Sequence, residues 1–350
     1  MSSKEEILEI PKVNVTGRYP SLVRVKTGLF SFDYALSQEG NLGLPLRVLV
    51  ELYGYTNVGK STLSYYLAGK VASELEKSLL PVADIEMADL GYIPRAVGAS
   101  GFQGEVRMMD VADEKGKPYS HARILMTLAK ALHTEEVASV IWDSIGATQS
   151  EAEMDVLLDA KGEFGQAWMG KRAKLVGEIA NAIRTALITK ETPSTAIAIN
   201  HVHQVIGGRG HVTPGGERKG FLAGVRLMLW NGESFFKDDN DPASPALGFL
   251  VKGQVEKLRF GGRGRKFQFY IVPGFGVHPG VTSMFDAFEL GLAERGSRVK
   301  LDGKSLGFLK KDLLEYAAEG KRRKFYPFQE ATRNYTEEVE RGVVEVPEIG

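Results

Sequence analysis

The chain alternates short apolar runs with stretches in which apolar residues recur every three or four positions. Residues 47–53 (Arg-Val-Leu-Val-Glu-Leu-Tyr) suit a buried strand, and Leu63, Leu67, Val71 and Leu75 follow at near-helical spacing. Further strands are predicted over 81–86, 105–110, 137–143, 194–200 and 225–230, and helices over 121–133 and 170–189. The 137–142 stretch is almost wholly apolar, as a parallel strand covered on both faces requires. This alternation predicts an α/β fold with an open, mostly parallel sheet and helices on both sides. From about 248 the pattern changes to longer strands, with Gly261-Gly262-Arg263-Gly264 as a hairpin turn before 267–271, and a smaller α/β region continues to about 334. Residues 3–10 read as a short helix in which Ser3 and Glu6 fit a capping box, Ile7, Leu8 and Ile10 form an apolar face, and Pro11 ends it. So short a helix does not stand alone in water, so it needs its own domain or a neighbouring subunit to pack on. Val13-Asn14-Val15 is a candidate strand beside it.

Composition narrows the class without naming a chemistry. The 350 residues carry no cysteine and no net charge, with 43% hydrophobic side chains, as in an ordinary globular protein with a sizeable core. There is no disulfide framework and no thiolate chemistry. No apolar run reaches membrane-spanning length, and the first residues lack the layout of a signal peptide, so the expectation is a cytoplasmic protein with no membrane partner. The six histidines lack zinc-site spacing, and His201-Val202-His203 reads as part of a loop. Charge is unevenly spread: residues 251–266 hold six basic side chains against one acid, 321–324 are Lys-Arg-Arg-Lys, and 335–350 hold five acids against one arginine. A basic face with an acidic tail is the layout of a polyanion binder, and equally of a solvated surface.

The sharpest signal is Gly54-Tyr55-Thr56-Asn57-Val58-Gly59-Lys60-Ser61, followed by Thr62, a complete G-x-x-x-x-G-K-[ST] phosphate-binding loop between a predicted strand and a predicted helix. The glycines let successive N–H groups turn inward on phosphate oxygens, and the helix N-terminus is aimed at the anion. Lys60 can reach the β- and γ-phosphates of ATP, and the Ser61 hydroxyl can ligate Mg²⁺. Asp143 ends the apolar 137–143 strand and is the second acidic element, holding Mg²⁺ through a water or through Ser61. A base must orient the attacking water. Asp84-Ile85-Glu86 closes the next predicted strand, at the edge where open sheets collect ligands, and alternation puts both acids on one side. Either could serve, and Glu86 is preferred as nearer the strand end.

These motifs, with others, resemble the RecA-type strand-exchange recombinases over nearly the whole chain. Thr27-Gly28-Leu29-Phe30-Ser31-Phe32-Asp33-Tyr34-Ala35-Leu36 resembles the family's T-G-x-x-x-L-D-x-A-L segment, and Asp84-Ile85-Glu86 its D-x-E with the catalytic glutamate. Residues 162–170 are similar to the first DNA-binding loop, with Met169 where that loop wedges between bases. Asn200-His201 stands at the phosphate-sensing pair, which implies that His201 couples the γ-phosphate to DNA binding. The second loop would be 203–219, closing with Thr213-Pro214-Gly215-Gly216, and Phe221 and Arg226 match positions just beyond it. The C-terminal third is similar to phage recombinases of the UvsX type, through Val255-Glu256-Lys257-Leu258-Arg259, Gly276-Val277-His278-Pro279, 285–291 and Pro327-Phe328-Gln329-Glu330-Ala331. In that family two basic residues spaced as Lys257 and Arg259 reach the γ-phosphate bound to the adjacent subunit, which implies a filament with the site shared between subunits.

The resemblance implies a RecA-like ATPase core over 27–272, with DNA-binding loops at 156–169 and 203–219. Around it come an oligomerisation arm over 1–26, a small C-terminal region over 273–334 and an acidic tail over 335–350. The implied DNA-binding set is Trp168, Met169, Lys171, Arg172 and Lys174 at the first loop. At the second it is Ile206, Arg209, His211, Val212, Gly215, Gly216 and Arg218, with Arg226 beyond. The second loop is shorter than in bacterial RecA and lacks its aromatic, leaving Ile206 or Val212 as the wedge. Pattern alone also allows Trp168 and Met169 as plain core residues. The adenine-stacking tyrosine falls at Ile93 with Tyr92 adjacent, and the choice stays open. The implied activity is DNA-dependent ATP hydrolysis with Mg²⁺, driving pairing of single-stranded DNA with a homologous duplex in a bacterial or phage-infected cytoplasm. Single-strand-binding and loader proteins are further implied partners. A ring helicase of the same fold and a regulatory filament without strand exchange are the alternatives.

Overall fold

The computed structural model describes residues 23–86, 90–150, 153–154, 166–204, 211–215, 220–238, 240–241, 243–259, 263–296, 298–347 and 349. The helix expected at 3–10 and the strand at 13–15 lie outside them. A nine-stranded sheet organises the fold. Its strands lie in the order Gly276–Val277, Lys266–Val272, Ala246–Leu258, Val225–Phe236, Leu49–Gly54, Thr195–His201, Ser139–Asp143, Leu79–Asp84 and Glu105–Met108. The last six are parallel to one another, and the first four are joined by antiparallel pairing, so the parallel α/β expectation holds and the basic 251–266 stretch forms a hairpin at one end. The predicted strands fall within a few residues of the observed ones, except that the one predicted over 225–230 runs on to Phe236. The helix predicted over 170–189 starts earlier, as Gln166–Thr189.

Side-chain alternation explains the layers. On one face Val50, Leu52, Val82 and Ile141 pack against Leu63, Leu67 and Val71 of the helix Lys60–Glu74. On the other, Leu49, Val140, Trp142 and Ala198 pack against Leu125 and Leu128 of His121–Ala131 and Ile179 and Ile183 of Gln166–Thr189. Arg47, in a left-handed conformation (φ 60°) just before the phosphate-loop strand, donates to the carbonyls of Lys190 (2.6 Å) and Glu191 (2.6 Å). Arg47 thereby ties the C-terminal end of the long helix to the start of that strand.

The C-terminal region shares the sheet. Ile271 pairs with Val277 and Val272 with Gly276, so the boundary drawn at 272/273 falls between hydrogen-bonded strands. Phe235 and Tyr270 of the sheet pack on Phe285 of the helix Pro279–Glu289 and share a cluster with Phe325 and Phe328. The helix Tyr326–Glu340 runs through the boundary drawn at 334/335, and Tyr335, Val339 and Val346 of the expected tail pack with Phe30, Leu42 and Ile349. The Thr27–Asp33 segment is a built turn. The Asp33 carboxylate accepts from the Thr27 N–H and hydroxyl and the Gly28 N–H, while Asp286 accepts from the Ser31 N–H (3.2 Å).

His278 caps the helix Pro279–Glu289. Its Nδ1 accepts from the Val281 N–H (3.1 Å), its Nε2 donates to the Lys321 carbonyl (3.2 Å), and its ring meets Phe325 edge-on. Burial pushes its pKa down to about 4, from 6.5. The unfolded chain takes up the proton first, so the stability that neutral His278 preserves is complete above pH 6.5 and is lost as pH falls through 4. The change is about 3 kcal/mol. In His278→Asn, which keeps a capping acceptor, urea unfolding should show the variant gaining about that much on the wild type between pH 6.5 and 4. A pH-independent difference contradicts a buried neutral histidine.

Candidate functional site

The phosphate loop curls as its sequence requires. Gly59 caps the helix Lys60–Glu74 at φ 81°, a conformation that favours glycine, and Asn57 also sits at positive φ (61°). A Cβ on Gly54 would strike the Leu229 carbonyl of the adjacent strand. Thr56, Asn57, Gly59, Lys60, Ser61 and Thr62 meet Glu86, Asp143, Ile199 and His201 around a cleft of about 210 Å³. That is below the range of about 300–1,000 Å³ typical of pockets enclosing a whole small ligand, so it suits phosphates and leaves base and sugar to nearby surface. Val58 points instead into the core, and Gly54 and Tyr55 contribute carbonyls.

Lys60 is 5% exposed and donates to the Gly54 (3.2 Å) and Tyr55 (2.6 Å) carbonyls. Burial lowers its pKa, against the raising effect of Asp143 and Glu86. Asp143, 3% exposed, accepts from the Ser61 hydroxyl, and burial pushes its pKa up to about 7. Its Oδ1 has no hydrogen-bond partner, an unusual state for a buried carboxylate oxygen. An oxygen left open beside a hydroxyl suits a hard divalent cation, so Ser61 and Asp143 fit Mg²⁺. Among the described residues no group of three or more His, Asp or Glu side chains could hold a metal ion.

The geometry separates the two candidate bases. The strand ends at Asp84, two residues earlier than expected, and Asp84 turns back so that its Oδ1 accepts from the Glu86 N–H (3.0 Å). Glu86 lies beyond the strand, faces the cleft, and takes hydrogen bonds on Oε1 from the Ser144 hydroxyl and from His201 Nε2 (2.8 Å). The bond to His201 holds its carboxyl below the usual carboxylate range. His201 belongs to the strand Thr195–His201 and His203 to a short strand, so the reading of 201–203 as loop is corrected. Ile93 is buried in the core, whereas the Tyr92 hydroxyl bonds to Thr62 Oγ1 (2.8 Å) beside the cleft.

Sequence reasoning missed the polar layer beneath the second loop. Asn200 is fully buried; its Nδ2 donates to Glu51 Oε1 (2.8 Å) and to the Pro214 carbonyl (3.1 Å), and its Oδ1 accepts from the His201 N–H (3.0 Å). Arg226, expected at the DNA, donates to Glu51 Oε2 (2.6 Å) and lies over the Tyr53 ring. Lys257, opposite Arg226 in the sheet, donates to the carbonyls of Gly220 (2.7 Å) and Phe221 (3.2 Å). Arg259 follows the strand Ala246–Leu258 and is exposed. Neither Lys257 nor Arg259 lines the cleft of its own chain. The signal for Glu51 was a lone charge in an apolar strand.

At the first loop, Arg172 pairs with the buried Glu153 (3.1 Å) and reaches toward the Gly146 carbonyl (3.5 Å), Lys174 pairs loosely with Glu178 (3.9 Å), and Lys171 is exposed. Residues 166–169 begin the long helix, which corrects that end of the expected loop; the side chains of Trp168 and Met169 lie outside the described residues. In the second loop His203 pairs with Val212 and Gln204 with His211, so His211 and Val212 sit on a small antiparallel ladder. Gly215 is buried at φ 93°, while Ile206, Arg209, Gly216 and Arg218 lie outside the described residues.

Comparison with known proteins shows the family. The RecA N-terminal domain matches residues 15–259. Proteins named RecA are similar at 26% identity over 275 residues in Ruminococcus albus (78% of this chain, 62% of the relative) and 26% over 303 in Syntrophus aciditrophicus (85% and 80%). In Chloroherpeton thalassium the figures are 28% over 277 residues (77% and 69%). The chain thus spans less than two thirds of the Ruminococcus relative. With the phosphate loop, the acid-ended strands and the Asn200-His201 pair all inside the matched segment, the chain belongs to the RecA family.

Proposed function

We propose that this chain is an ATP-dependent recombinase that polymerises on single-stranded DNA and pairs it with a homologous duplex. One observation carries the reading: His201 contacts Glu86 inside the phosphate cleft, while the preceding residue, Asn200, holds Pro214 of the expected DNA loop. Nucleotide and DNA elements thus meet on two adjacent residues of one strand.

The chain's residues act as follows. Lys60 exchanges its loop carbonyls for β- and γ-phosphate oxygens, and the backbone N–H groups of the loop hold the same anion. Mg²⁺, held by Ser61 and through Asp143, would neutralise charge on those phosphates. Glu86 orients a water and accepts its proton while the water oxygen bonds to the γ-phosphorus and the bond to the bridging oxygen breaks, giving ADP and phosphate. Glu86 must first give up its bond with His201, and a γ-phosphate that takes over His201 frees it. That transfer moves Asn200 and, with it, Pro214. Lys257 and Arg259 complete the site of the neighbouring copy, which makes assembly a condition of turnover. Tyr92, whose hydroxyl bonds to Thr62 beside the cleft, is the aromatic proposed to meet the base. Sequence is then read by base pairing, with the protein supplying geometry and charge.

A strand-exchange assay with homologous and heterologous duplexes tests the whole reading: exchange with the homologous duplex only is expected, and none with either overturns it. Losing a trans-acting cation in phosphoryl transfer costs about 10³–10⁵ in rate. Lys257→Ala should therefore lose DNA-stimulated turnover on that scale while ATP binding without DNA is unchanged; persistent turnover contradicts a shared site. Glu86→Gln should bind ATP and DNA yet stall in hydrolysis, measured as phosphate release, and wild-type release would move the base elsewhere.

A further inference from the structure

We infer that Glu51 is the positioning residue that joins the His201 sensor to the Lys257 edge of the sheet; the inference rests on the function proposed above. Glu51 sits in mid-strand, 1% exposed, opposite Arg226 on one side and Ala198 on the other. Its two oxygens face two different donors, Asn200 Nδ2 on Oε1 (2.8 Å) and Arg226 Nε on Oε2 (2.6 Å).

Each arm has consequences that follow from donor and acceptor inventory. An ionised carboxylate can only accept, so Asn200 must turn its NH₂ toward Glu51. Its carbonyl oxygen then faces the His201 N–H at 3.0 Å, and the same NH₂ reaches the Pro214 carbonyl at 3.1 Å. The orientation of the sensor strand's end is thus set by Glu51. On the other arm, Arg226 is clamped between Glu51 and the Tyr53 ring (4.8 Å), directly across from Lys257. Lys257 in turn holds the carbonyls of Gly220 and Phe221, and Phe221 is 72% exposed. A displacement at that exposed edge reaches Asn200 through one buried carboxylate. No neutral side chain does this. Glutamine fills the same volume but has one acceptor oxygen, so its NH₂ would confront a second donor and one arm must let go.

Glu51→Gln is the direct test, read by hydrogen exchange at the His201 amide and by the ratio of single-stranded DNA affinity in ATP to that in ADP. Exchange at least tenfold faster and a ratio reduced at least tenfold are expected, with partial recovery in Glu51→Asp, which keeps both acceptors. Wild-type exchange and a wild-type ratio in Glu51→Gln overturn the inference. If that variant is too unstable to measure, Glu51→Leu/Arg226→Met removes the charges together with the acceptor that Asn200 uses, a change that folds tolerate better than an orphaned charge. Fast His201 exchange in the double variant supports the inference and slow exchange overturns it. Should the wild type itself show no ATP-dependent DNA affinity, the recombinase reading fails, and His201 exchange still decides the role of Glu51.

Discussion

The site depends on the register of four neighbouring parallel strands. Gly54 stands opposite His201, Trp142 opposite Ala198 and Asp84 opposite Asp143, so the strands end nearly level. That alignment brings Lys60 and Ser61, the Asp143 carboxylate, Glu86 and His201 to one cleft from four separate stretches of chain. A one-residue slip would turn Asp143 and Asn200 to the opposite face of the sheet and bury apolar neighbours in their place. The apolar layers on both faces therefore hold the chemistry in place as well as the fold.

Within this frame the buried polar groups are incompletely satisfied in a patterned way. Lys60 occupies itself with its own loop carbonyls, and Asp143 keeps one oxygen without a partner. Both are conditions that a phosphate and a cation relieve, and preorganised groups of this kind lose little when the charge arrives. Glu51 differs, since its charge is already matched by Arg226 and Asn200. Breaking one side of such a buried pair typically costs about 3–5 kcal/mol, so the layer moves as a unit or not at all. That rigidity suits a part that transmits a shift between sites.

The phosphate loop and the parallel core were legible because both rest on local rules: glycine at left-handed positions and unbroken apolar runs. The choice between Asp84 and Glu86 was not, since alternation assumed a strand running to 86, whereas it ends at Asp84 and Glu86 leaves it to face the cleft. The partners of Arg226 and Arg172 were not legible either, since Glu51 and Glu153 come from 175 and 19 residues away, respectively. The helix that runs across the expected tail boundary was hidden for a related reason. Three of the tail's acids, Glu337, Glu338 and Glu340, lie on that helix, which also carries Tyr335 and Val339 into an apolar cluster that a count of charges does not reveal.

The proposed function requires a triphosphate in this cleft to make neighbouring copies grip one DNA strand. Electron microscopy of the protein with magnesium and an oligonucleotide, in a non-hydrolysable ATP analogue and in ADP, tests it most directly. Extended helical filaments with the triphosphate and their absence with ADP are the predicted result. Monomers or closed rings under both nucleotides contradict it.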